Sequence, residues 1–255
     1  MSIMAKRAIV LCPHDDDAII GVGGTLIKLI SRGWEIMYIQ MTDGRHGSNV
    51  LSPKETKKIR AIESENERKA LGIFKFFSFD IEDGTMAKLS ENELSQTISK
   101  TAKLIEEFSP EIVFIPAEFE NHPDHKTTYE IGHAAITQAK TNPIEARYVI
   151  WHIPFMQHNI LPFEKLILIN TSKEHARKLE VTRLHDSQER EGRYSHLVNH
   201  FNKQLGLMYT TYSDTYFDVA EIIAVTSNFD IGLEHMDVTH IFHGRSSEGI
   251  DPEAK

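Results

Sequence analysis

The chain has 255 residues, of which 40% are hydrophobic and 25% charged, and its formal net charge is −9. These proportions are ordinary for a folded protein and exclude a disordered chain, a collagen-like repeat and a disulfide scaffold. The negative charge argues against nucleic acid or an anionic membrane surface as the main partner. The single cysteine, Cys12, cannot form a disulfide within the chain, which fits a reducing compartment such as the cytoplasm. No apolar run approaches the length of about 18 residues that a transmembrane helix needs.

Strand and helix patterns alternate along the first half of the chain. Short apolar runs predict strands, and amphipathic runs predict the helices between them. The predicted strands are 7–12, 35–41, 75–80 and 111–116, and the predicted helices are 19–31, 55–71, 94–108 and 127–139, with a loop at 42–53. This alternation is typical of βαβ units and predicts a mostly parallel sheet with helices on both faces.

The second half of the chain is less regular. Strands are predicted at 146–153, 165–169 and 218–226, and most of 173–204 is predicted to be helical. No internal repeat or linker interrupts the sequence. We therefore expect one α/β domain over residues 1–255, with a Rossmann-like sheet between two layers of helices.

Three polar loops follow predicted strands of this sheet. They are CPHDDD at 12–17, TDGRHGS at 42–48 and EFENHPDH at 118–125. Ligands of open α/β sheets bind beyond the carboxyl ends of the strands. If the strands have the usual order, the three loops meet at one crevice.

The first and third loops combine imidazoles with carboxylates. Three adjacent aspartates at 15–17 need a cation or strong hydrogen-bond donors nearby. Histidine and aspartate together suit zinc, and a catalytic zinc ion has three protein ligands and an open position for water. The alternative for each loop is that it only begins a helix, the aspartates acting as N-terminal caps and 122–125 as a turn. The position of both loops at the ends of two strands of one sheet argues against this alternative for the two together.

In this order the motifs resemble the LmbE-like, or PIG-L, family of zinc-dependent N-acetylglucosaminyl deacetylases. The first loop, HDDD at 14–17, stands where the family has a His-Pro-Asp-Asp type loop. Arg60 and Glu63 precede Leu71-Gly72 as in the family, and HPDH at 122–125 is a complete match. HDSQ at 185–188 is similar to a His-x-Ser-Gln element downstream, whereas the tail beyond about residue 195 matches no motif. The resemblance implies the three-layer LmbE-like fold and Zn²⁺ as the cofactor.

The resemblance also implies residue roles. Three side chains would bind the zinc ion: His14, Asp17 and His125. Asp16 would be the general base that takes a proton from the attacking water. His122, held in its charged form by Asp124, would stabilise the negative charge that builds on the acetyl oxygen.

Further residues are expected to contact the substrate: Arg60, Arg45 and His185, with His46 beside Arg45 as a weaker candidate. A solvated loop is the alternative for Arg45, and a structural hydrogen bond is the alternative for His185. Cys12 is a softer zinc ligand, but it ends a strand and should point into the core.

The chain departs from the family pattern at the first loop. Asp15 stands where the family usually has proline or a small residue, and Ala18 and Ile19 occupy positions just after the aspartate pair that are usually acidic. A third carboxylate at the metal would change its affinity or the protonation of its neighbours. The spacing of His14 and Asp17 is unchanged, so the ligand assignment stands.

Two other functional classes remain open. One is a non-catalytic α/β binding protein of the same fold, against which the retention of Asp16, His122 and Asp124 argues. The other is a nucleotide-dependent enzyme that uses the glycine-rich run at 21–24, where the preceding acidic loop would repel a pyrophosphate. We expect a free N-acetylated sugar, a glycoconjugate or a small acylated metabolite as the partner. The sequence is compatible with a homo-oligomer.

Overall fold

The computed structural model describes residues 5–150, 165–189, 192–212, 217–225 and 238–243. Its strands are β1 (Arg7–Cys12), β2 (Glu35–Thr42), β3 (Lys75–Ile81), β4 (Ile112–Pro116), β5 (Ile144–Tyr148), β6 (Lys165–Asn170), β7 (Ala220–Val225) and β8 (Val238–His243). Its helices are α1 (Asp17–Ser31), α2 (Pro53–Leu71), α3 (Glu91–Phe108), α4 (Pro123–Gln138), α5 (His175–Thr182), α6 (Asp186–Glu189) and α7 (Arg193–Tyr212), with a 3₁₀ turn at Met86–Lys88. None of the helices in the described part of the chain has the length and hydropathy needed to cross a bilayer.

The strands form one sheet in the order β3-β2-β1-β4-β5-β7-β6-β8. The first five are parallel, with Val10 of the central strand β1 opposite Tyr38 on one side and Phe114 on the other. Each of the last three, β7, β6 and β8, is antiparallel to the strand before it in this order. The predicted α/β fold with a mostly parallel sheet is confirmed. After β1 the chain turns to one side for β2 and β3 and later returns to the other side for β4, so the loops after β1 and β4 flank a topological switch point.

The central strand β1 is buried on both faces, as its continuous apolar run predicts. Ala8, Val10 and Cys12 face the core beneath α1, and Ile9 and Leu11 face the core beneath α3 and α4. The Cys12 thiol contacts the carbonyl oxygen of Val10 at 3.7 Å, which agrees with a core position. These two cores hold the loop after β1 between two layers of helices.

Several predicted boundaries differ from the structure. α4 begins at Pro123 rather than 127, because His122 caps the helix and proline is favoured at its first position. β5 ends at Tyr148, and 151–153 of the strand predicted there lie outside the described residues. The long helical region predicted at 173–204 is divided into α5, α6 and α7, and β8 was not predicted.

Helix α1 is interrupted by a buried ion pair. Val22 has non-helical angles (φ −134°, ψ 16°), and the carbonyl oxygen of Ile20 accepts a hydrogen bond from Lys178 Nζ at 2.6 Å. The N–H of Gly24, which an unbroken helix would direct to Ile20, donates to Glu221 Oε1 at 2.8 Å. Lys178 Nζ and Glu221 Oε1 are 2.6 Å apart, and both side chains are fully buried. An ion pair from α5 and β7 therefore replaces a backbone hydrogen bond of the helix that begins at Asp17.

The glycines at this interruption allow close packing. A Cβ atom at Gly21 would lie 2.4 Å from a ring carbon of Tyr148, and one at Gly24 would lie 2.7 Å from Cβ of Thr171. Contacts this short exclude any side chain at both positions. The glycine-rich run is thus explained by packing, which removes the main sequence argument for a nucleotide site.

We expect Glu221→Gln to destabilise the protein by about 3–5 kcal/mol, because it leaves the Lys178 ammonium buried without its counter-ion. The free energy of unfolding from urea titration is the measurement. Replacing both charges, Lys178→Met with Glu221→Gln, should cost less than the sum of the two single substitutions. An unchanged unfolding free energy in Glu221→Gln would contradict this role of the ion pair.

Candidate active site

The loops after β1, β2, β3 and β4 surround one cavity of about 600 Å³ at the carboxyl ends of the parallel strands. Among the predicted site residues, the cavity is lined by His14, Asp16, Asp17, Arg60, His122 and His125. Asp124, Arg45 and His185 are not among the lining residues. The expected meeting of the first and third loops is therefore observed.

Three side-chain atoms of the predicted ligands converge in this cavity. Asp17 Oδ2 lies 3.1 Å from His14 Nδ1 and 3.3 Å from His125 Nε2, and the two ring nitrogens are 3.3 Å apart. Tetrahedral zinc with bonds of about 2.0–2.1 Å places neighbouring ligand atoms about 3.3 Å apart. The chemistry and spacing of these donors fit one zinc ion. His122 also lies near both histidines, with ligand atoms within 4.8 Å, but Asp17 makes the tighter set.

The imidazole of His14 is held from its other side by two carboxylates. His14 Nε2 is 3.1 Å from Asp83 Oδ1 and 3.4 Å from Asp124 Oδ2. Burial lowers the pKa of His14, but the surrounding carboxylates outweigh this and raise the pKa well above its ordinary value. Histidine ligands of metals commonly donate their second N–H to a carboxylate in this way. This arrangement orients Nδ1 of His14 toward Asp17.

Asp83 was missed by the sequence analysis. Its carboxylate accepts the N–H of His46 at 3.0 Å. Burial raises the pKa of Asp83, but the hydrogen bond from His14 outweighs it and brings the pKa to about 2. Its position in a turn directly after β3, at the same sheet edge as the other loops, is the signal that could have identified it.

The predicted support of His122 by Asp124 is wrong. The Asp124 carboxylate accepts the N–H groups of Gly84 at 2.7 Å and Met86 at 3.1 Å, and it faces His14. His122 Nδ1 instead accepts the backbone N–H of Asp124 at 3.2 Å, so this nitrogen carries a lone pair and Nε2 carries the hydrogen. Burial, and then the neighbouring histidines, lower the pKa of His122. His122 is therefore a neutral hydrogen-bond donor, because a charged ring would direct a hydrogen from Nδ1 against an N–H group.

The cation that the acidic loop requires is Arg60. Its Nε donates to Asp15 Oδ2 and its Nη2 donates to Asp16 Oδ1, both at 2.8 Å, and only 3% of the residue is exposed. Tyr194, from the beginning of α7, donates its hydroxyl to Asp16 Oδ2. Burial raises the pKa of Asp16, but the Arg60 guanidinium outweighs this and lowers the pKa below its ordinary value. Asp16 is thus held as a carboxylate at the cavity wall.

Two glutamates of α2 bind the His-x-Ser-Gln element at 185–188. Glu63 accepts hydrogen bonds from the N–H of Ser187 at 2.6 Å and from its hydroxyl at 2.7 Å. Glu67, one turn further along α2, pairs with His185 Nε2 at 2.6 Å, and both side chains are fully buried. Gln188 reaches the cavity wall and donates to the carbonyl of Gly47 at 3.1 Å.

Two predicted substrate contacts are placed elsewhere by the structure. His185 has no exposed surface, so it cannot touch a substrate in this conformation and instead supports α2. Arg45 pairs with Asp43 at 2.8 Å and with Glu82 at 2.9 Å, beside the cavity rather than in its wall. His46, the weaker candidate, does line the cavity.

A buried carboxylate beside His125 was also missed. Glu120 lines the cavity with 3% of its surface exposed, and its Oε1 accepts the N–H of Ile150 at 2.7 Å. Its Oε2 lies 3.6 Å from His125 Nδ1. Burial lowers the pKa of His125, but the Asp17 carboxylate outweighs it and the pKa rises to about 9.

Solved structures share this fold. The N,N'-diacetylchitobiose deacetylase from Pyrococcus horikoshii superposes with a TM-score of 0.69 at 22% identity, covering 87% of this chain and 84% of that one. The 4-carboxy-2-hydroxymuconate hydratase GalB from Pseudomonas putida superposes with a TM-score of 0.73 at 16% identity, covering 88% and 98%. Because a deacetylase and a hydratase share the fold, the reaction has to be argued from the site.

Sequence relatives are more specific. Diacetylchitobiose deacetylase from Thermococcus kodakarensis is 30% identical over 139 residues, which cover 52% of this chain and only half of that protein. A probable N-acetyl-alpha-D-glucosaminyl L-malate deacetylase 2 from Bacillus anthracis is 27% identical over 191 residues, covering 72% of this chain and 81% of that one. The PIG-L family, described as GlcNAc-PI de-N-acetylase, matches residues 9–136, half of the chain. With both loop motifs and the α2 arginine inside that match, the chain belongs to the PIG-L family.

Proposed function

We propose that the protein is a zinc-dependent deacetylase that hydrolyses the N-acetyl group of a small N-acetylglucosamine-type sugar or conjugate in the cytoplasm. The observation that carries this proposal is the convergence of His14, Asp17 and His125 beside the carboxylate of Asp16, in one cavity. The names of the family and of its two relatives support the same reaction.

His14, Asp17 and His125 would hold the zinc ion, since their ligand atoms lie 3.1–3.3 Å from one another. When bound, zinc supplies a Lewis acid and lowers the pKa of water toward neutrality. Asp83 and Asp124 keep the His14 ring oriented, and Glu120 lies beside Nδ1 of His125, the ring nitrogen that is not a proposed ligand.

Asp16 would accept a proton from the attacking water. Each of its oxygens already accepts one hydrogen bond, from Arg60 and from Tyr194, and each retains a second lone pair. After the attack, the protonated Asp16 would return the proton to the amine nitrogen as the C–N bond breaks. Water and the acetamide thus yield acetic acid and a free amine, with Asp16 restored, and the acid then gives its proton to the amine or to solvent and leaves as acetate.

His122 would donate its Nε2 hydrogen to the acetyl oxygen as negative charge builds there. The ring lines the cavity and makes an edge contact with the His14 ring at 4.8 Å between centroids. Because Nδ1 is engaged by the helix backbone, Nε2 is fixed as a donor without any conformational cost during the reaction.

His122→Ala should therefore lower kcat by about 100- to 1,000-fold, the usual scale for the loss of one such donor. Zinc content should be unchanged, since His122 is not a proposed ligand. Steady-state kinetics and elemental analysis of the same preparation measure both effects. His133→Ala is the matched control, because His133 is a half-exposed histidine of the same helix that pairs with Glu145. A metal-loaded His122→Ala variant with wild-type kcat would remove His122 from the mechanism.

The cavity wall favours a polar substrate. Among the described residues that line it, none is aliphatic, and Tyr194 is the one Phe, Tyr or Trp residue. The outer part offers hydrogen-bonding groups: His46, Glu82, Thr85, Lys88, Asn121 and Gln188. Such groups suit sugar hydroxyls better than an acyl chain, so we place a soluble acetylated sugar here rather than a lipid-linked one.

The direct test is acetate and amine release by zinc-loaded protein. The panel would be N-acetylglucosamine, N,N'-diacetylchitobiose, N-acetylglucosaminyl malate and an N-acetyl-lysine peptide as a non-sugar amide. We expect turnover of at least one sugar and none of the peptide. Full zinc content with no turnover of any sugar would contradict the proposal and favour the non-catalytic binding protein.

A further inference from the structure

Asp15 does not join the proposed ligands. Its side chain is directed away from them, with 4% of the residue exposed, and Oδ2 accepts Arg60 Nε–H at 2.8 Å. Its other oxygen, Oδ1, accepts an N–H from the Gln40 side chain. Gln40 is itself fixed, because it donates to the carbonyl of Thr42 at 2.9 Å and accepts from the Ser64 hydroxyl at 3.2 Å. Asp15 therefore joins α2 to β2 beneath the cavity.

This contact determines where Arg60 points. A guanidinium group is planar and rigid, so a partner at Nε fixes the direction of the remaining N–H groups. With Nε on Asp15, Nη2 is directed at Asp16 Oδ1 at 2.8 Å. A single bond to Asp16 alone would leave the guanidinium free to swing about that contact.

The loop after β2 closes over the same group. A Cβ atom at Gly44 would lie 2.5 Å from Asp15 Oδ2 and 2.7 Å from Arg60 Nε, and one at Gly47 would lie 2.6 Å from Arg60 Nη1. The backbone of Gly44 and Gly47 therefore packs directly against the Asp15–Arg60 pair, which leaves no space for a side chain at either glycine. Water has little room to replace either partner.

We propose that Asp15 is a positioning residue for Asp16, acting through Arg60. The inference rests on the proposed function, in which Asp16 is the general base. Asp15 sets the orientation of the guanidinium, and the guanidinium sets the orientation of the Asp16 carboxylate toward the attacking water. Misplacement of a reacting group by about 1 Å costs on the order of 100-fold in rate. A small change in the orientation of the Asp16 carboxylate is therefore expected to slow the reaction.

Kinetics of three Asp15 variants test the proposal. Asp15→Ala and Asp15→Pro remove the acceptor for Arg60, and each should lower kcat by about 10- to 100-fold while KM and zinc content stay near the wild-type values. Asp15→Asn keeps an oxygen for Arg60 Nε–H and should recover most of the lost kcat. Glu145→Gln is the control, because it weakens another carboxylate–arginine pair, with Arg147, and neither of these two residues lines the cavity.

A second measurement is independent of activity. The Arg60 Nε–H resonance in the ¹⁵N NMR spectrum should be protected from solvent exchange in the wild type and in Asp15→Asn, and should lose protection in Asp15→Ala. If the wild type releases no acetate from any sugar, the proposed function fails while the NMR comparison still tests the Asp15–Arg60 contact. Wild-type kcat in either folded, zinc-loaded removal variant, or an Arg60 signal unchanged in Asp15→Ala, would overturn the role of Asp15.

Discussion

Replacing His125 with alanine is expected to abolish both zinc binding and activity. His125 Nε2 lies 3.3 Å from Asp17 Oδ2 and 3.3 Å from His14 Nδ1, so its loss leaves two of three proposed ligands. Changing a residue that only supports a ligand already costs about 10- to 100-fold in metal affinity, and loss of a ligand should exceed this. Elemental analysis after dialysis and acetate release from the best sugar substrate measure the two effects.

Thermal unfolding provides a separate readout of the same substitution. Zinc at about 100 times its dissociation constant should stabilise the wild type by about 2.7 kcal/mol, because it binds only the folded state. The addition of a chelator should remove this gain in the wild type and in the control His133→Ala, and should have no effect on His125→Ala. A His125→Ala protein that retains a full equivalent of zinc would contradict the assignment of His125 as a ligand.

The first half of the fold is predicted well because its signals are local. β1 was predicted with its observed bounds, since its apolar run ends at a proline and an acidic loop. α4 was predicted to begin one turn late because His122 and Pro123 are read as a loop, although a histidine cap and a first-position proline begin the helix. β8 was missed, since its sequence, VTHIFH, mixes polar and apolar residues without a clear pattern.

The site was predicted only in part, for a related reason. The family resemblance implies His14, Asp17 and His125 as the zinc ligands, and the fold brings these three side chains together. The resemblance does not show that Arg60, which is 45 positions from Asp15, serves the acidic loop. Nor does it show that Tyr194, which is 178 positions from Asp16, reaches the proposed base. Such partners become visible only when the strand order is known.

The His-x-Ser-Gln element shows the limit of assigning a role from a motif. The resemblance implies a substrate contact for His185, yet a sequence match does not distinguish a substrate contact from a buried support. Glu67, its partner, lies on the buried face of α2 seven residues after Arg60, the spacing of two helical turns. This shared helix face is the sequence signal for the structural role of Glu67 and its partner.

The sharpest separation of roles is expected within the acidic loop itself. Asp16→Asn should keep full zinc content but lower kcat by about 100- to 10,000-fold, because an amide cannot accept the proton of the attacking water. The substitution is structurally mild, since the asparagine oxygen can still accept the Arg60 hydrogen bond. Asp17→Asn should behave in the opposite way. Its Oδ2 is the atom shared by His14 and His125, and it also accepts the N–H of His14 at 2.8 Å, so the loss of its charge should release the metal first.

The two variants are therefore compared at increasing zinc concentration. Activity of Asp17→Asn should rise with added zinc, whereas that of Asp16→Asn should stay low at every concentration. Exchanged behaviour would mean that Asp17 is the base and Asp16 a ligand. The structure argues against that exchange, because Asp16 is held by Arg60 and Tyr194 on both oxygens while Asp17 faces the two imidazoles. Asp15 offers no substitute base in either case, since Asp15, unlike Asp16, does not line the cavity and its side chain instead joins Arg60 to Gln40.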